Sequence, residues 1–144
     1  SREGTLTRNP KEPILIADDL VSAIELNRLT QKPVVWAVKA EDLEAVAENL
    51  RRFMPKHHIV IAATDAHMPK ENSSKELAKE TANSVNGRLI FPLFSKNDRE
   101  QNIITLGEML RQNNTKQVSK MLHKANLTIS RLRVKGQKTK TYDN

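Results

Sequence analysis

Residues 13–19 read Pro-Ile-Leu-Ile-Ala-Asp-Asp, an unbroken apolar run entered through a proline and left through two carboxylates. A strand without polar alternation is covered on both faces, the condition of a parallel sheet with helices on each side. Three more runs of this kind follow: PVVWAV from Pro33 to Val38, HIVIAAT from His58 to Thr64, and RLIFPL from Arg88 to Leu93. The stretches between them are amphipathic. A helix is expected to begin near Asp18-Asp19, where carboxylates suit the N-terminal dipole and can cap free N–H groups. Leu20, Ile24, and Leu26 or Leu29 would be its buried stripe. A second helix spans Glu41 to Phe53, with Leu43, Val46, Ala47 and Leu50 at helical spacing and Pro55 as its stop. A polar loop from Asp65 to Ser74 leads to a third helix, Lys75 to Val85, closed by Asn86-Gly87. The expected fold class is α/β: a small, doubly wound, parallel four-stranded sheet with right-handed crossovers and C-terminal helices.

After Phe94 the character changes to SKNDREQN, and two helices follow, Ile103 to Gln112 and Thr115 to Ala125, split by Asn113-Asn114. These would pack on the sheet or on an adjoining domain. A length of 144 residues suits one compact unit with a tail. The expected division is a lead-in (1–12), an α/β domain (13–98), a helical extension (99–126) and a basic flexible tail (127–144). Trp36, inside a strand, is expected in the core rather than as a base-stacking platform. Because the chain starts at Ser1 and runs almost at once into a strand, it is read as one module of a longer protein.

Several chemistries are excluded outright. The chain has no cysteine, which removes disulfides, thiolate zinc sites and a cysteine nucleophile. Its glycines are Gly4, Gly87, Gly107 and Gly136, so neither G-x-G-x-x-G nor G-x-x-x-x-G-K-[ST] can be written. His57, His58, His67 and His123 lack zincin spacing, and His57-His58 is expected to be a surface pair. No serine sits in a G-x-S-x-G elbow. There is neither an apolar run of about 20 residues nor a secretory leader, so no membrane contact is expected and the location is read as cytoplasmic.

The net charge of +7 is unevenly placed. Residues 1–114 hold 16 basic and 16 acidic side chains, whereas 115–144 hold eight basic ones and only Asp143 as an acid. Lys116, Lys120, Lys124, Arg131, Arg133, Lys135, Lys138 and Lys140 therefore carry the excess, and DNA of low sequence specificity is the expected partner. A solubilising end is the plainer reading of the same charges.

In an open parallel sheet the ligand site lies beyond the carboxyl ends of the strands. The residues that leave strands one and three are Asp18, Asp19, Asp65 and His67. If those strands are neighbours, the carboxylates meet at one edge and could hold Mg²⁺, which takes oxygen ligands. Alternatively Asp18 or Asp19 caps the first helix and Asp65 opens a turn.

The order of these segments resembles the toprim domain of plasmid- and phage-type DNA primases, over roughly Pro13 to Asp98. The resemblance rests on Asp18-Asp19 with Ser22-Ala23 after the first strand, Glu41-Asp42-Leu43 at the second helix, Asp65-Ala66-His67 after the third strand, and Asn86-Gly87-Arg88 leading to Phe91-Pro92. It implies a toprim/Rossmann-like fold and metal-assisted nucleotidyl or phosphodiester transfer. Asp18 would stand at the catalytic glutamate position, and Asp65 and His67 at the two metal-binding aspartates. The departures are chemical. Asp for Glu withdraws a carboxylate by one methylene, His for Asp removes a hard oxygen, and Asp19 replaces a glycine. The acids of the segment that often follows in these primases are also missing from Gln101 to Leu106.

The resulting expectation is a non-catalytic toprim-like module of a larger DNA-processing protein, a conjugative relaxase-helicase or primase, that docks DNA or a partner protein. No cofactor is expected on that reading. The alternative is an active Mg²⁺-dependent primase or nucleotidyl-transfer domain, with Asp19 compensating for Asp18. A third is an interaction domain that contacts protein only.

Overall fold

The computed structural model describes residues 12–63, 74–103, 105–112 and 115–130. Strands β1 (Ile14–Ala17), β2 (Val34–Trp36), β3 (Ile59–Ala62) and β4 (Arg88–Ile90) form one sheet in the order β2-β1-β3-β4. All three pairings are parallel, with Leu15 opposite Val34 and Val60, and Ala62 opposite Ile90. The two inner strands are buried at every position, and the two outer ones, three residues each, are only partly covered. The continuous apolar runs thus mark the centre of a sheet covered on both faces.

Helices α1 (Leu20–Thr30), α2 (Leu43–Phe53), α3 (Ser74–Val85), α4 (Lys96–Glu100), α5 (Leu106–Gln112) and α6 (Thr115–His123) divide between the two faces. Strand alternation sends Leu15, Ala17, Val60 and Ala62 to one side, where α1, α5 and α6 add Leu26, Leu106, Met109, Leu110 and Leu122. Ile16, Ile59, Ile61 and Ala63 face the other, with Leu43 and Ala47 of α2 and Ala78, Ala82 and Val85 of α3. The last two helices therefore close the same core as the sheet. Leu127 is buried in it, and Ser130 donates its N–H to the Leu29 carbonyl at 2.7 Å, so residues 127–130 are held against the body.

The buried stripe of α1 is not the expected one. Leu26 and Leu29 are buried together with Ser22 and Ala23, whereas Leu20 and Ile24 are 46% and 53% exposed. The small Ser22-Ala23 face lets α5 approach closely enough that Gly107 lies against Val21 and Ser22. Trp36 is likewise corrected: at the end of an outer strand, with β1 on one side only, it is 41% exposed. His57 is buried, unlike exposed His58, because Arg51 draws the α2–β3 loop inward. The Arg51 Nη1 donates to the carbonyls of Met54 (3.2 Å), Pro55 (3.1 Å) and His57 (2.7 Å), and its Nε to Val85 (3.0 Å).

Helix α4 lies in the SKNDREQN stretch and was not expected. Ser95 and Asp98 form a reciprocal capping box, the hydroxyl accepting from the Asp98 N–H and the carboxylate from the Ser95 N–H. Helices α3, α4 and α6 are each followed within three residues by an asparagine with positive φ: Asn86 (54°), Asn102 (64°) and Asn126 (61°). In each the next residue donates its N–H five positions back, to Ala82, Asp98 and Leu122, the paired-bond ending that favours Gly or Asn.

Candidate functional site

Since β1 and β3 are neighbours in register, residues leaving them emerge side by side at the carboxyl edge of the sheet. Asp18 stands at that edge with only 8% of its surface exposed. Asp19 serves as the N-cap of α1: Oδ1 accepts the Ser22 N–H and Oδ2 the Ser22 hydroxyl, each at 2.8 Å. Its position in the sequence, one residue before the apolar turn of the helix, is where a cap is needed. Asp19→Ala is expected to cost about 2 kcal/mol, the upper end for a lost cap, because buried Ser22 would keep two unpaired groups. The urea midpoint measures this, and Asp19→Asn should recover most of it.

Asp65 and His67, the other two members of the expected constellation, lie outside the described residues. Among the described residues no group of three or more His, Asp or Glu side chains could hold a metal ion. Mg²⁺ takes one or two carboxylates and completes a near-octahedral shell with water, and of the described residues this edge offers Asp18 and the helix-capping Asp19.

The second expected group is basic. Lys116, Lys120 and Lys124 are spaced by four residues and all exposed, with Val118, Met121 and Leu122 buried on the opposite side of α6. The helix is fixed beside the exit of β4 by Gln117, whose side-chain amide donates to the Leu93 carbonyl and, at 3.4 Å, to Asp98 Oδ2. The row of lysines is thus carried on a packed element. Arg131, Arg133, Lys135, Lys138 and Lys140 lie outside the described residues. The sequence reading missed Arg88, exposed at the entry to β4, and Lys56, exposed in the α2–β3 loop, since neither belongs to a charge run. Buried Glu25 is neutralised by Arg28 at 2.6 Å and Arg111 of α5 at 3.5 Å.

No described helix is long and apolar enough to cross a membrane. No protein-family model matches the chain, and no curated protein matches it in sequence. A solved structure of a small TOPRIM domain protein from Bacillus stearothermophilus is similar, with a TM-score of 0.51 and 11% identity over 86% of this chain and 96% of that one. The fold is of the TOPRIM kind: a parallel four-stranded, doubly wound sheet with C-terminal helices. At this identity the likeness is one of architecture, which by itself confers no activity.

Proposed function

We propose that the chain is a TOPRIM-like module that docks nucleic acid for a larger DNA-processing protein of the plasmid or phage type, a relaxase-helicase or primase, without metal-dependent transfer of its own. The observation that carries this reading is the basic row Lys116, Lys120 and Lys124, held on a packed helix and the turn that follows it and continued in sequence by five further cations. Cations held on a folded surface release counterions from a phosphate backbone and give affinity without sequence preference. The departures from the family motif support the non-catalytic half of the proposal. Asp19, in place of a flexible glycine, is engaged in capping, and position 67 offers an imidazole where Mg²⁺ favours oxygen.

The test is fluorescence anisotropy of a labelled single-stranded oligonucleotide with the full chain. Four phosphate contacts correspond to a log–log salt slope of about −3, so affinity should fall roughly 50-fold between about 50 and 200 mM salt. EDTA should leave binding unchanged, and no labelled nucleotide should be joined on a primed template. Absence of binding at about 50 mM salt would sink the docking reading. Magnesium-dependent joining that Asp65→Ala abolishes would establish the active alternative instead.

A further inference from the structure

Three concavities adjoin one another along the β4 flank. The first is a slot of about 190 Å³ between the exit of β4 and α6, walled by Leu89, Ile90, Leu93 and Met121, with Lys120 and Lys124 among its lining residues. The second, about 170 Å³, is formed by Asn126 beyond α6, Arg88 and His58. The third is an open cleft of about 710 Å³ under the α2–β3 loop, to which Arg88 and His58 also contribute, together with Lys56. Shared residues join the last two, and the Lys124-Ala125 step joins the first two. The described residues lining all three include no acid.

Arg51 in the third cleft is turned to backbone carbonyls through its Nε and Nη1, and the exposed cations of the flank are Lys56, Arg88, Lys120 and Lys124. An apolar slot edged by two ammonium groups and continued by further cations matches a ligand whose flat apolar parts hang from an anionic chain. A duplex keeps its bases stacked inside, whereas a single strand presents them, and such strands are bound by charged grooves in which bases stack on aromatic side chains. Phe91 is the aromatic residue lining the slot.

Resting on the nucleic-acid reading above, we propose that this flank is a track for single-stranded nucleic acid, one base seated in the Leu89–Met121 slot and the backbone running from Lys120 and Lys124 to Arg88 and Lys56. The specific contact then lies on the folded body, and the cations after Ser130 add only unspecific attraction.

The test uses the full chain and a twelve-residue thymidine oligonucleotide, with circular dichroism to verify folding of each variant. The triple variant Arg88→Glu, Lys120→Glu, Lys124→Glu should raise Kd at least 30-fold and make the salt slope shallower by about 2, since each phosphate contact on a single strand contributes about 0.7. A variant with glutamine at Arg131, Arg133, Lys135, Lys138 and Lys140 should stay within a few-fold of the parent at about 150 mM salt. An abasic strand of equal length should bind about tenfold more weakly, the loss of one seated base, and a duplex should also bind more weakly. The track is overturned if the triple variant binds like the parent while the glutamine variant does not. Equal binding of abasic and thymidine strands, or of duplex and single strand, overturns the seated base. If the parent binds no strand at all, the docking reading falls together with the track.

Discussion

Valine in place of Gly107 is expected to destabilise the fold by about 3 kcal/mol, at the upper end of the usual penalty for overpacking. A Cβ at this position of α5 would stand 2.7 Å from Val21 Cγ1, 3.0 Å from the Ser22 backbone nitrogen and 3.2 Å from the Ser22 hydroxyl. Val21, 40% exposed, can yield only by leaving its rotamer, and Ser22 has no room to yield. Val21 is β-branched and stiff, and Ser22 is fully buried with both of its donors held by Asp19. Helix α5 would have to withdraw, taking Leu106, Met109 and Leu110 out of the core they fill. Alanine gains about 1 kcal/mol of helix propensity over glycine but brings the same Cβ, so Gly107→Ala should still lose stability. Urea unfolding decides the matter: a Gly107→Ala protein as stable as the parent would mean that α1 and α5 do not approach this closely.

The second large effect is expected at Leu15→Ala. Leu15 is fully buried on an inner strand, between Val34 of β2 and Val60 of β3. Truncation there removes the transfer free energy of its methyl groups and leaves a cavity that two flanking strands keep from collapsing, a cost of about 2–5 kcal/mol. In a domain whose whole stability is of order 5–15 kcal/mol this shifts the unfolding midpoint substantially. Its neighbour Val34, half-buried on an outer strand, should lose well under half as much on truncation to alanine. Equal losses at the two positions, measured by denaturant titration, would contradict the strand order.

The inner strands were legible because their apolarity is continuous, and the parallel sheet follows from that feature alone. The Asp19 cap and the Asn86-Gly87 helix ending were also readable, since both are local devices that depend on a few adjacent residues. What failed depended on distant partners. The sequence of α1 permits an apolar stripe through Leu20 and Ile24, and the true one is selected by a glycine more than eighty residues later. An apolar strand does not disclose whether it is inner or outer, which is why Trp36 was expected in the core. His57 is drawn in by Arg51, an interaction a His-His pair does not announce. Helix α4 had a readable capping box in Ser95 and Asp98, but its run of charges read as a break. Of the candidate site, Asp18 stands at the expected edge of the sheet, and Lys116 and Lys120 share the exposed side of one helix with Lys124 in the turn directly after it. The β4 flank was invisible in the sequence because its cations come from three separate segments.

The brevity of the two outer strands has a further consequence, for behaviour at high concentration. A second copy that tried to extend the sheet would find three residues of backbone at either side, with Pro33 directly before β2, and Arg88 opening β4 with Pro92 two residues beyond its end. Short borders with proline and a charge beside them discourage strand-to-strand polymerisation, so crowding many copies together should not seed fibrils through this sheet.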